Sequence, residues 1–144
     1  MPRAFSSLLF VAIAMLAGCA SGPTRPPSIP QPGLAAGLTN ELYFGSQSSA
    51  PATVEVRVTN HALVPITLRR VEVDSPTMEQ WGILKVLRYY NQKVAPGETK
   101  SFLLVVTAVT TTRRPSEPLQ LRTVFEFESD GVYWRELLLS QQRF

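Results

Sequence analysis

The chain contains few of the residue types from which catalytic and metal sites are built. Its 144 residues include one cysteine, one histidine and three methionines. A single cysteine excludes an intramolecular disulfide, so an apolar core must hold the folded part together. Soft ions such as Cu(I) need clustered Cys, Met or His ligands, and His61 with Met78 is too sparse a set. We therefore predict no metal and no cofactor.

The same scarcity argues against an enzyme. A Ser-His-Asp triad would have to use His61, and the neighbouring Asp74 and Ser75 cannot easily take both supporting positions around it. Glu126 and Glu128 are about 7 Å apart on one strand face, a spacing open to a glycosidase. Arginines predicted on the same face make an ion-paired solvent face the stronger interpretation. We predict a non-enzymatic protein without catalytic residues.

Charge of one sign is also missing in any long block. The chain has 14 basic and 11 acidic residues, for a formal net charge of +3. Nucleic-acid-binding domains concentrate basic residues in a patch or stripe, and none is visible here. We therefore predict that nucleic acid is not a partner.

The first residues follow the plan of an export signal. Arg3 supplies positive charge, residues 8–16 are apolar, and small residues then lead to Cys19. The apolar segment is shorter than the roughly 20 residues that a membrane-spanning helix needs. This pattern predicts a cleaved signal peptide.

The run Leu16-Ala17-Gly18-Cys19 resembles the lipobox of bacterial lipoproteins. In that family a diacylglycerol is attached to the cysteine thiol, and a peptidase cuts just before it. The resemblance implies a signal peptide over residues 1–18, an acylated Cys19 and a membrane partner for the lipid. Ala20, which is not aspartate, implies the outer membrane, with the protein on its inner leaflet facing the periplasm. The alternative is an ordinary secreted protein.

Residues 19–50 differ in composition from the rest of the chain. Five prolines crowd into the first part of this segment: Pro23, Pro26, Pro27, Pro30 and Pro32. Proline fixes its backbone angle and lacks an N–H donor. We therefore predict a disordered, extended tether that holds the domain up to about 40 Å from the lipid. Residues 39–44 are a candidate first edge strand.

Residues 51–144 read as strands with turns between them. A change of parity predicts a β-bulge or a sheet crossing at Arg69-Arg70, and Ala95-Pro96-Gly97-Glu98 predicts a tight turn. The apolar run over 102–106 favours a central strand covered on both faces. Residues 77–90 leave helix and strand open, and a turn followed by a strand is favoured.

The pair Asp130-Gly131 predicts a two-residue hairpin. In that register Glu126 lies opposite Arg135, and Phe127 lies opposite Trp134. Opposite charges meet on one face of the hairpin and aromatic rings on the other.

The count is six strands, or seven with residues 39–44, and helical periodicity is nearly absent. This spacing predicts an all-β fold, an antiparallel two-sheet sandwich. The strand ending in Asn60, the segment Pro65-Ile66-Thr67-Leu68 and the later Pro96-Gly97 turn are similar to many bacterial immunoglobulin-like domains. The chain lacks the Cys…Trp…Cys framework of antibody domains.

Two sets of side chains are candidate binding surfaces. Arg69-Arg70 and Arg113-Arg114 would form an anion site if they converged, and otherwise they are independent exposed pairs. Trp81, Tyr89 and Tyr90 lie near basic residues and form either an aromatic-basic contact surface or part of the core. We expect a protein-binding or envelope-assembly module that acts on another envelope protein. The alternative is a carrier of a small ligand or anion.

Overall fold

The computed structural model describes residues 22–143, so Cys19 and the predicted signal peptide lie outside the described residues. The described part contains eight strands: β1 (Gly33–Leu38), β2 (Ser49–Thr59), β3 (Ile66–Asp74), β4 (Trp81–Ile83), β5 (Val86–Val94), β6 (Thr99–Thr110), β7 (Leu119–Ser129) and β8 (Val132–Gln142). Within this range, no helix has the length and apolar character needed to cross a membrane.

The strands form two four-stranded antiparallel sheets, in the orders β1-β2-β6-β4 and β5-β3-β7-β8. The predicted all-β two-sheet sandwich is confirmed, with eight described strands where six or seven were expected. The pairing of β2 with β6, and of β7 with both β3 and β8, follows the immunoglobulin-like plan. The position of β4 in the chain departs from that plan. β4 borders β6 in one sheet, yet it comes before β5, which belongs to the other sheet.

The core lies between the two sheets and follows from the period-two alternation of the strands. Val54, Val56 and Val58 of β2 are fully buried. Phe127 lies between two further rings, with centroids 6.1 Å from Phe125 and 5.5 Å from Trp134. Burying one large apolar side chain contributes roughly 1.5–3 kcal/mol, so this layer is a main source of stability.

The predicted local features of β3, β7 and β8 are confirmed. The register of β3 shifts between Leu68 and Arg70, as a bulge requires. The β7–β8 hairpin turns at Asp130 and Gly131, whose φ angles are 49° and 79°. Two consecutive positive φ values give the turn a twist that matches the flanking strands. The predicted pairs Glu126–Arg135 and Phe127–Trp134 are both present.

The N-terminal part of the described chain is ordered against the sandwich, contrary to the predicted disordered tether. The Arg135 N–H donates to the Pro23 carbonyl at 3.3 Å, Arg25 pairs with Glu136 at 2.7 Å, and Ile29 is buried. Proline lacks a donor, but its carbonyl still accepts, so a proline-rich segment can border a sheet edge. The ordered part of the chain therefore begins well before residue 51.

The first strand also differs from the prediction. Residues 39–44 form a loop, and the edge strand is the preceding Gly33–Leu38. Side chains of β8 form hydrogen bonds with the C-terminal half of this strand. The Gln142 side-chain oxygen accepts from the Leu38 N–H at 2.7 Å, and the Ser140 hydroxyl donates to the Ala36 carbonyl at 3.2 Å. This lateral side of the sandwich is therefore closed by β1 and by residues 23–25.

The apolar run in β6 is not covered on both faces as predicted. Leu104 and Val106 face the core, whereas Leu103 and Val105 are 65% and 63% exposed. Residues 22–143 form two layers, so within this part of the chain no helix or third sheet covers the outer face of this sheet. The prediction was wrong because an apolar run alone does not establish a second covering layer.

Candidate binding cleft at the loop end

Three loops meet at the end of the sandwich where β1, β3 and β6 finish: residues 39–48, 75–80 and 111–118. The loops over residues 39–48 and 111–118, together with Trp81 of β4, line a cleft of about 500 Å³, which we call the loop-end cleft. Its lining residues are Leu42, Tyr43, Phe44, Gly45, Trp81, Arg113, Arg114 and Pro115. Strands on both sides of the loops fix their ends, so the cleft is held by the sandwich itself.

The first wall of the cleft is anchored from within the loop over residues 39–48. Phe44 is buried and inserts into the core. Its carbonyl accepts from the Gln47 N–H at 2.9 Å, and Gly45 between them has φ 59°, a conformation that favours glycine. Burial of Phe44 leaves its neighbour Tyr43 projecting outward, 88% exposed.

The second wall is tied to the short strand β4. The Trp81 indole N–H donates to the Glu117 carbonyl at 2.9 Å. The Thr111 N–H donates to the Gln80 carbonyl at 2.7 Å, and the Ser116 N–H donates to the Gln80 side-chain oxygen at 2.8 Å. These contacts bracket residues 113 and 114, so both arginines project from a loop fixed at its two ends.

Arg113 and Arg114 carry the charge of the loop-end cleft. Neither takes part in any of the ion pairs formed among residues 22–143, and no carboxylate is among the lining side chains. A guanidinium group presents several N–H donors in a planar fork that fits a carboxylate or phosphate. Beside the exposed ring of Tyr43, the pair can therefore bind an anionic group.

The other predicted arginine pair lies elsewhere, on the outer face of the β5-β3-β7-β8 sheet. Arg69 pairs with Glu128 at 2.6 Å, while Arg70 and Arg135 both pair with Glu126, at 2.9 and 3.0 Å. A hydrogen bond from the Gly131 N–H, followed by one from Arg69, holds the pKa of Glu128 below its ordinary value. The two arginine pairs line no common cleft, so they form no shared anion site. The glutamates belong to the expected ion-paired face.

The predicted aromatic-basic surface is also divided. Trp81 lines the loop-end cleft with 9% of its surface exposed, whereas Tyr89 is 76% exposed on β5. Tyr90 packs on Phe102 at 5.0 Å between ring centroids, and burial raises the pKa of its hydroxyl. Adjacent residues of a strand point to opposite faces, so Tyr89 and Tyr90 cannot share one surface. Trp81 and Tyr90 instead help to cover the core.

His61 and Met78 also lie apart. His61 follows the end of β2, and Met78 lies between β3 and β4, so the two side chains are at opposite ends of the sandwich. Among residues 22–143, no group of three or more His, Cys, Asp or Glu side chains is placed to hold a metal ion.

Sequence reasoning missed Tyr43 and its loop, because residues 39–44 were interpreted as a strand. The signal in the sequence was the set of turn-forming residues on both sides of Tyr43, with Asn40 before it and Gly45 and Ser46 after it. Such residues favour a loop. An aromatic residue inside a loop is a better binding candidate than one on a strand.

No family model matches the chain, and no curated protein matches it. Solved structures share its fold. The structural-genomics target SoR45 is 6% identical, with a TM-score of 0.55, over 79% of this chain and 86% of that one. The putative ApaA protein from Bordetella pertussis is 17% identical, with a TM-score of 0.51, over 83% and 98% of the two chains. At these identities the likeness concerns the fold alone.

Proposed function

We propose that the protein is a bacterial envelope lipoprotein, anchored in the outer membrane through acylated Cys19 and facing the periplasm. In this proposal it has no catalytic role and binds another envelope protein through the loop-end cleft. The observation that carries the binding proposal is a pair of arginines that form no ion pair within residues 22–143, beside an exposed tyrosine. The lipobox supports the location.

The chemistry of the cleft favours a protein partner with an acidic segment. Tyr, Trp and Arg are the side chains most enriched in the energetically important parts of protein interfaces. Arg113 and Arg114 are available to carboxylates of the partner, and Tyr43 provides a rigid ring with little conformational entropy to lose. A general acid–base pair needs two groups that exchange protons near neutral pH. Two guanidinium groups do not form such an acid–base pair, which agrees with the proposed non-enzymatic role.

The second candidate is a carrier of a small anion, such as a phosphate or carboxylate compound. The volume of the loop-end cleft, about 500 Å³, falls within the range of roughly 300–1,000 Å³ of small-molecule sites. A carrier of an apolar ligand has less support, because Trp134, Phe125 and Phe127 fill the space between the sheets.

Crosslinking in intact envelopes tests the protein-binding proposal. A photoreactive residue at position 43 reports which protein meets the cleft, in the wild type and in the double variant Arg113→Ala/Arg114→Ala. Hydrogen bonds to charged groups contribute about 1.5–3 kcal/mol each, so we expect at least a 100-fold loss of affinity. The double variant Arg88→Ala/Lys93→Ala is the matched control, since it removes two charges that form no ion pair within residues 22–143.

Equal crosslinking in both double variants would contradict a role for the arginines. A specific protein partner that depends on Arg113 and Arg114 supports the first candidate. If no protein is captured while small anions bind to the purified protein by calorimetry, the carrier is supported instead. The anchor has its own test, in which a tagged fatty acid should label the wild type and not Cys19→Ser.

A further inference from the structure

One exposed apolar stripe lies close to the point where the described chain begins. Tyr133, Leu137 and Leu139 of β8 are 48%, 59% and 65% exposed. They occupy alternate positions with Arg135, so they lie on the outer face of the β5-β3-β7-β8 sheet. We call these three residues the β8 stripe. Large exposed apolar patches on proteins mark sites that contact other proteins or a membrane.

The N-terminal segment places Gly22 beside this stripe. Gly22 and Pro23 line a groove of about 500 Å³ together with Val124, Arg135 and Leu137. The Pro23 carbonyl accepts from the Arg135 N–H, and the Arg135 Cδ atom is 3.6 Å from the position of a Cβ built on Gly22. The hydrogen bond and the Arg25–Glu136 ion pair fasten the segment to β8.

Only two residues separate Gly22 from Cys19. A fully extended chain spans at most about 3.6 Å per residue, so the two Cα atoms are at most roughly 11 Å apart. If Cys19 carries the lipid, its backbone lies at the level of the headgroups. The surface around Gly22 must then lie close to the membrane, and an arm of about 40 Å is not available.

We propose that the β8 stripe lies against the lipid surface. This inference depends on the proposed acylation of Cys19. Leucine side chains and the amphipathic ring of tyrosine suit the boundary between headgroups and acyl chains. The charges around the stripe are compatible with this contact, because Arg122 pairs with Asp74, and Arg135 shares Glu126 with Arg70, which leaves a net positive charge that anionic headgroups attract. The contact orients the domain with β8 toward the bilayer.

The opposite sheet provides an internal control. Leu103 and Val105 on β6 are as exposed as the leucines of the stripe. They belong to the outer face of the other sheet, and β6 is separated from the β8 side by β2 and β1. If apolar exposure alone decided membrane contact, both the β8 stripe and the β6 surface would contact the membrane. Proximity to the anchor selects only the β8 stripe.

Fluorescence quenching in reconstituted vesicles tests this orientation. The acylated full protein carries one added cysteine, from Leu139→Cys or from the control Leu103→Cys, labelled with a polarity-sensitive fluorophore. The Cys19 sulfur is blocked by its thioether and takes no label. In vesicles of phosphatidylethanolamine and phosphatidylglycerol with nitroxide lipids, we expect several-fold stronger quenching at position 139 than at position 103. Both positions are exposed, so the substitutions should leave folding intact, and Leu137→Cys provides a second site.

The outcomes separate the orientation from the anchor. Weak and equal quenching in protein that floats with the vesicles overturns the orientation and leaves the lipid anchor standing. Protein that does not float overturns both. A flexible 12-residue Gly-Ser insertion between Ser21 and Gly22 should reduce quenching at position 139 without changing flotation. If position 139 is shielded only in whole envelopes and crosslinks to a protein there, the stripe binds protein and the lipid contact is refuted.

Discussion

Replacing Thr123 with valine is expected to stabilise the protein. Thr123 lies on β7 between Val73 of β3 and Leu138 of β8, and none of its surface is exposed. Its hydroxyl oxygen has no hydrogen-bond partner among the described residues. Valine has nearly the same shape and β-branching, but it carries a methyl group where threonine has the hydroxyl.

The magnitude follows from the cost of burying an unpaired polar group. That cost is about 1–3 kcal/mol, so we expect the free energy of unfolding to rise by about 1–2 kcal/mol in Thr123→Val. The unfolding entropy of a domain of this size corresponds to roughly 4 °C per kcal/mol, which gives an increase in Tm of about 4–8 °C. Thermal and urea unfolding followed by circular dichroism measure both quantities, with every variant built on Cys19→Ser to avoid detergent.

Two further variants make the comparison decisive. Thr107→Val makes the same change at an exposed position of β6 and should alter stability by less than about 0.5 kcal/mol. Thr123→Ser keeps the hydroxyl and loses a methyl group, which should cost roughly 1 kcal/mol. If Thr123→Val is less stable than the wild type, the hydroxyl makes a stabilising interaction and the reasoning fails.

Three other substitutions test the fold and its charges. The lowered pKa of Glu128 means that this carboxylate stabilises the fold above its unfolded pKa and loses that contribution as the pH falls through its folded pKa. Glu128→Gln should therefore be destabilising near pH 7, and in urea titrations across pH the difference from the wild type should vanish as the pH falls through the lowered folded-state pKa of Glu128. Gly131→Ala should cost about 1 kcal/mol in thermal unfolding, because φ is 79° and no atom lies within 4 Å of the added Cβ; a neutral result would mean that the turn adopts another conformation. Phe127→Ala should cost about 3–5 kcal/mol in chemical denaturation, and a loss below 1 kcal/mol would show that the ring layer is not a tightly packed core.

The sequence predicted best the parts of the fold that depend on neighbouring residues. The hairpin at Asp130-Gly131 follows from turn chemistry, and its register follows from matching Glu126 with Arg135. The bulge near Arg70 follows from parity within a single strand. Each of these features is encoded within about ten residues, so no knowledge of the other sheet was needed.

The errors arose where a distant element decides the outcome. Residues 23–38 contain prolines and small residues whose composition indicates a tether. In the fold, however, β1 pairs with the edge of β2, and Pro23 accepts a hydrogen bond from β8. Leu103 and Val105 indicate a strand covered on both faces, but the described part of the chain forms two layers and no third one. The loop-end cleft could not be predicted, because it depends on two loops and Trp81 of β4, which the sheet order brings together. Of its lining residues, Trp81 and the arginine pair flanked by proline were recognised as candidates, but not that they share one site.

The two proposed surfaces together restrict where the partner can be. The β8 stripe runs along its strand, so a stripe lying on the membrane places the strands nearly parallel to the bilayer. The loop-end cleft is at the end of those same strands, beyond Leu139, and it then opens sideways at a small height above the headgroups. A partner that reaches Arg113 and Arg114 must present its acidic segment near the membrane surface. This geometry favours a protein that is itself anchored in or on the same membrane over one that diffuses freely in the periplasm.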